Sequence, residues 1–357
     1  MCKVYNSIGS LTAIRSHLRE HNINEFKSLN ELIKFQSNYS VARQQIILDH
    51  SHLIEQEKNT LTQEITQLND SIKTTKSDVE QKLQLELEQL KQQLGNLSLT
   101  HSNIFQSFIS YFKKANIKKK IRYNQANFDF RISYSVQQSN DILTKKSDRH
   151  QYIISHFNDA VNESSLSQLQ ELERKKRVID EINTLIYGAL GEQKVVRELE
   201  NLSDDYILIN DFSYSFHPPI YNRQENDYIK SIQIDHLLIS PSGIFLIETK
   251  NWSEHSLNNL SLRSPVKQIK RTNFALFKIL AEFTSSNITL NQHHWGIRKI
   301  PIKNLVVLTN QKPSEEFQYV KILTLGELLR YVKYFPPSFT KIETQNIANY
   351  LLALRAN

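Results

Sequence analysis

"IDHLLISPSGIFLIETKNW", residues 234–252, decides the architecture of the C-terminal half. Two apolar runs flank Ser-Pro-Ser-Gly, which carries proline and glycine where a tight turn needs them, so the stretch reads as a β-hairpin spanning 232–240 and 243–252. A two-residue turn at Pro241 and Ser242 sets Asp235 opposite Glu248, with Lys250 on the same sheet face because side chains alternate along a strand. Leu237, Ile239, Ile244 and Leu246 then share one face, and Ile234, Leu238, Phe245 and Ile247 the other. A sheet that is apolar on both faces needs cover on both, which predicts an α/β domain.

Outward from the hairpin, residues 204–216 and 300–310 read as further strands, and residues 189–202, 265–283, 324–333 and 341–354 as helices. Upstream the texture changes. Gly95 is the only glycine between Ser10 and Tyr187, and no proline precedes Pro218, so residues 41–187 read as long helices. Leu61, Ile65, Leu68 and Ile72 form a heptad seam that resumes at Val79, Leu83, Leu87, Leu90, Leu94 and Leu97. Lys76 falls on the seam and the step from Leu83 to Leu87 is long, which predicts a local irregularity. A second run over 163–188 carries Leu166, Leu169, Leu172, Ile179, Ile182 and Leu185 or Ile186. The layout is a coiled-coil hairpin, with a parallel homodimer as its rival. Between the runs, residues 111–134 interleave Lys118, Lys119, Lys120 and other cations with aromatics. That pattern fits phosphate contacts plus base stacking, or a basic helix with a core-facing aromatic stripe. The division is thus 1–40, helical and of unreadable role, then 41–187, then 188–357.

The 357-residue chain is 39% hydrophobic and 23% charged, with a net charge of +7, the balance of a soluble protein compatible with a polyanionic partner. Cys2 is the only cysteine, which excludes a disulfide framework and a cysteine zinc site. No secretory leader or run of 18 apolar residues is present, so the expectation is a cytoplasmic protein without membrane contact.

Opposed carboxylates repel unless a cation lies between them. Asp235 and Glu248 therefore call for a hard divalent ion, magnesium or manganese, with Lys250 beside it to offset charge on a phosphoryl group. The alternative is a surface ion-pair cluster worth little. His236 faces away from Asp235 and reads as packed, and His293 and His294 read as a polar loop. No phosphate-binding glycine loop occurs.

Asp235 followed by Glu248-Thr249-Lys250 resembles the PD-(D/E)xK nuclease superfamily, and more closely the nuclease-related domain called NERD. Gly191-Glu192 resembles that family's Gly-Glu helix, and "SPVKQ" (264–268) its Asn-Pro-x-x-Gln motif, with Ser264 in place of Asn. The resemblance covers about residues 188–310. It implies a mixed sheet flanked by helices, Asp235, Glu248 and the Thr249 carbonyl as metal ligands, and Lys250 as the catalytic lysine. It further implies Glu192 near a helix start as an added ligand or water-binding carboxylate, and Gln268 orienting Lys250 or the phosphate. Apart from the resemblance, Lys267, Lys270 and Arg271 read either as phosphate contacts near Gln268 or as a solvated helix face. The expected function is metal-dependent hydrolysis of DNA, with RNA as the alternative substrate, in the processing of foreign DNA. The helical arm would dimerise the chain, recruit a protein partner or hold nucleic acid. Competing readings are a non-catalytic nucleic-acid-binding module and a coiled-coil assembly protein.

Overall fold

The computed structural model describes residues 1–97, 104–223, 225–252, 263–285, 300–313 and 315–355. His293 and His294 lie outside the described residues. In chain order the elements are β1 (Lys3–Tyr5), α1 (Gly9–Glu20), α2 (Leu29–Asn96), α3 (Ile104–Ala126), α4 (Phe128–Ser135), α5 (Gln137–Ser155), α6 (Phe157–Glu181) and α7 (Asn183–Leu199). They continue with β2 (Ile207–Asn222), β3 (Asp227–Ser240), β4 (Gly243–Lys250), α8 (Arg263–Ser285), β5 (Ile302–Leu308), β6 (Lys321–Thr324), α9 (Leu325–Lys333) and α10 (Lys341–Arg355). Contacts divide them into two units, Met1–Ser37 with Arg174–Asn357, and Asn38–Glu173.

The first unit is built on a mixed sheet of six strands among the described residues, in the order β1-β2-β3-β4-β5-β6. β2, β3 and β4 are antiparallel, while β1, β5 and β6 add on in parallel. The β3–β4 hairpin has the expected register, with Ser240 facing Gly243 and His236 facing Ile247. One step further along that register, Asp235 stands opposite Glu248. Both sheet faces are covered. Leu237, Ile239, Ile244 and Leu246 pack with α8 and α10 through Ile269, Leu276 and Ile347. Leu238, Phe245 and Ile247 pack with α7 and α9 through Val195, Leu199 and Leu328.

Ile234 departs from the alternation and joins the Leu237 side. The cause lies in β2, where Asp211 takes a left-handed φ of 49°, a conformation that acidic and amide side chains tolerate better than most. The paired register runs from Asn210–His236 to Phe212–Ile234 and skips Asp211 and Asp235. Each strand changes face at its skipped aspartate, so Ile209 and Phe212 share one cluster.

Residues 1–37 belong to this unit. β1 extends the sheet beside β2. Ile14 and Leu18 of α1, with Leu29 and Leu32, pack against Ile179, Ile182 and Ile186. Ile186, not Leu185, is the buried member of that pair. The helical run expected to 188 instead breaks at Ile182, and α7 starts there afresh.

In the second unit the helices pair antiparallel within the chain. Arg149 makes two bonds to Glu57, at 2.9 and 3.0 Å. Lys146 reaches Glu64 at 2.7 Å and Arg131 reaches Glu86 at 3.4 Å. Rising numbers on α2 thus meet falling numbers on the return. Exposed pairs of this kind contribute little, and the apolar contacts of Ile54 and Leu61 with Ile153, Ala160 and Val161 carry the packing. At the irregularity, Lys76 is exposed and Thr75 takes the inward place. On α6, Leu166 is exposed and Ser165 is buried instead.

Candidate active site

The end of β4 gathers the chemistry. Glu248 is only 4% exposed, so its two oxygens need partners. The Lys250 ammonium donates to Oε1 at 2.7 Å, and the Gln268 amide donates to Oε2 at 3.2 Å. Gln268, in the second turn of α8, therefore meets Glu248 and not Lys250. Asp235 accepts the Thr249 backbone N–H on Oδ2 at 2.8 Å. Burial first, and the Glu248 charge second, push its carboxyl up to about 8, with the Thr249 N–H and Lys250 opposing.

Glu192 stands in the middle of α7, not at a helix start. Its position depends on Gly191, where a Cβ would lie 2.8 Å from Cβ of Asn251 and 3.3 Å from Cγ2 of Thr249. Only a glycine lets α7 cross the end of β4 so closely. Asn251 secures the crossing by donating to the Tyr187 carbonyl at 2.7 Å and accepting from the Thr309 hydroxyl. Burial raises the proton affinity of Glu192, the Ser10 hydroxyl opposes that rise, and the charges of Asp211 and Glu248 reinforce it. The Ser10 hydroxyl donates to Glu192 Oε1 at 2.5 Å.

Two contributors escaped the sequence reading. Ser10 opens α1, far from the hairpin in the chain. Asp211 reaches the cluster through its left-handed backbone, and its carboxylate lies so close to Gly9 that a Cβ there would fall 2.6 Å from Oδ1. No signal in the sequence pointed to Ser10. For Asp211, an acid inside an otherwise apolar strand ("YILINDF") was the available hint.

Among the described residues Glu192, Asp211, Asp235 and Glu248 thus bring four carboxylates into electrostatic reach, with Lys250 beside them. Residues 187–309 match the nuclease-related domain family, NERD. No curated protein and no solved structure matches the chain. The NERD segment runs from α7 to just past β5 and contains all four carboxylates, Lys250 and Gln268. Ser10 lies outside it and still bonds Glu192.

The other singled-out residues sit apart from this cluster. His236 in the NERD segment is fully buried, with Nδ1 bonded to Asn210 at 2.7 Å. Burial lowers its pKa to about 3, so it is a neutral packing group. Arg271 is ion-paired with Asp227 at 2.8 Å. Lys267 is exposed, and Lys270 lines a cavity of about 400 Å³ with Asn273, Phe274 and Tyr319 that none of the four carboxylates lines. Lys118, Lys119 and Lys120 are exposed on α3 of the other unit.

The donor set fits a hard divalent cation. It consists of oxygens, it offers more carboxylates than Lys250 balances, and two of them, Glu192 and Glu248, are buried. An extended strand points the N–H and C=O of one residue to the same side, so the Thr249 carbonyl faces the Asp235 side with its N–H.

Proposed function

We propose that the NERD segment hydrolyses phosphodiester bonds of DNA with magnesium or manganese held by Asp235, Glu248 and the Thr249 carbonyl. The observation that carries this reading is the convergence of half-buried Asp235 and buried Glu248 and Glu192 with a single lysine at one strand end. A structural role would favour neutral or paired groups there, because crowded buried carboxylates destabilise the fold. When bound, the divalent ion acidifies a water and neutralises charge growing on the phosphoryl oxygens.

The protein groups act around that chemistry. Water attacks phosphorus, one ester oxygen leaves, and the product is a phosphate monoester and a free hydroxyl. Lys250, now paired with Glu248, turns to the phosphoryl oxygen and offsets its added charge. Glu192, with proton affinity raised by burial, holds the attacking water and accepts its proton. Gln268 keeps Glu248 oriented while Lys250 is away.

The test is cleavage of supercoiled, linear and single-stranded DNA, and of RNA, by the full chain with magnesium and with EDTA. Wild type should cut only with the metal, and Asp235→Ala and Lys250→Ala should not cut. Cleavage that survives both substitutions would remove the hairpin from the mechanism. Nucleic-acid binding without any cleavage would favour a binding module instead.

A further inference from the structure

The segment after α2 has a surface that the fold of its own unit does not explain. Between Phe108 and Tyr134 stand seven lysines or arginines and a single acid, Asp129. A stripe of core-facing rings was one expectation for this segment, and the structure turns the rings outward. Phe108, Phe112, Tyr123, Phe130 and Tyr134 are between 55% and 68% exposed.

Their arrangement on α3 is ordered. Ser110, Lys114, Ile117, Ile121 and Asn124 are half-buried at spacings of four, three, four and three, which marks the inward side. At 3.6 residues per turn Phe108, Phe112, Lys119 and Tyr123 fall within a sector of about 60° on the opposite side. From Phe108 to Tyr123 this row runs about 22 Å by helical rise. Phe108 and Phe112 meet edge to face at 5.0 Å, and on α4 Phe130 and Tyr134 stack at 5.9 Å. Lys118 and Lys120 flank the row, and Lys119 stands within it.

We propose that this ring-and-lysine row of α3 and α4 binds single-stranded nucleic acid. Exposed aromatic faces accept unpaired bases of any sequence by stacking, and interleaved cations track the phosphates. A partner helix would require a continuous apolar stripe, which Lys119 interrupts between Phe112 and Tyr123. A helix lying in a membrane surface would separate its apolar face from its basic one, whereas here rings and cation share one face. The surface deepens the nucleic-acid reading of the NERD segment without depending on its catalytic residues.

The experiment is fluorescence anisotropy with fluorescein-labelled oligodeoxythymidine and a duplex of equal length, using the full chain in EDTA so that nothing is cut. The single strand should bind more tightly than the duplex, whose bases are already stacked. Phe112→Ala and Tyr123→Ala should each weaken single-strand binding by about five- to hundredfold. Lys119→Ala should flatten the dependence on salt by about one ion. All three residues are exposed, and unchanged circular dichroism verifies folding. Magnesium-induced thermal stabilisation should be unchanged in these variants, which separates failure here from failure of the carboxylate site. Equal binding by wild type and ring variants would overturn the proposal. So would ring-dependent binding to phosphatidylserine vesicles, or ring-dependent self-association on sedimentation, in place of oligonucleotide binding.

Discussion

Replacing Asp235 by Asn should stabilise the metal-free protein while removing its divalent-ion binding. The ordinary carboxyl value for Asp235 is 3.8, and the folded chain raises it to about 8. The folded state therefore holds this proton more tightly than the unfolded chain does. The resulting stability is fully present below about pH 4 and is lost as pH rises towards 8. At about 1.4 kcal/mol per pH unit, that window amounts to roughly 6 kcal/mol, an upper figure because Glu248 and Glu192 share the repulsion. Asparagine removes the proton dependence and retains an oxygen for the Thr249 N–H. The variant should match wild type near pH 4 and exceed it by several kcal/mol at pH 8 in EDTA. Urea denaturation across this range reads the difference, and tryptophan fluorescence suits it because Trp252 packs against the core of the sheet. Comparing the two proteins cancels the titration of every group that does not interact with Asp235. Millimolar magnesium should then close the gap by stabilising wild type alone. A difference that stays flat with pH, or an Asn variant less stable at pH 8, would refute the crowded-carboxylate account.

Two further substitutions probe how the site is assembled. Ser10→Ala removes the hydroxyl donated to Glu192 and should cost about 1.5–3 kcal/mol at pH 8, where a charged acceptor is stranded. The loss should shrink as pH falls and Glu192 takes up its proton, and Ser10→Thr should restore most of it, as read by urea titration across a pH series. Gly191→Ala pushes a methyl against Asn251 and should cost about 1–3 kcal/mol, offset by up to about 1 kcal/mol of helix propensity. Because the methyl moves α7 away from β4, magnesium affinity measured by calorimetry should fall further than stability does. An alanine variant that binds magnesium normally would detach Glu192 from the site.

Much of the C-terminal unit was legible because its signals are local. The Pro241-Ser242 turn sets the β3–β4 register within a few residues, and strict alternation of apolar side chains reports two covered faces. That alternation reads correctly from Leu237 to Ile247 and fails at Ile234, because the left-handed turn of Asp211 belongs to a different strand. The heptad seam of α2 was equally local, and where it fails at Lys76 a neighbouring threonine supplies the inward group. At Leu166 the apolar residue faces out and Ser165 goes in, since the inward face of α6 is set by the helix it meets.

By itself the sequence determined the helical arm, the sheet hairpin, and the triad Asp235, Glu248 and Lys250, all written in periods of 3.5 or 2 residues that need no distant partner. Only the tertiary structure decided that β1 completes the sheet, that α7 crosses β4 over Gly191, and that Ser10 bonds Glu192 across 182 positions of chain. No periodicity spans such a distance. Those contacts exist because burying both faces of the sheet brings α1 and α7 together, and a buried carboxylate must then find a donor.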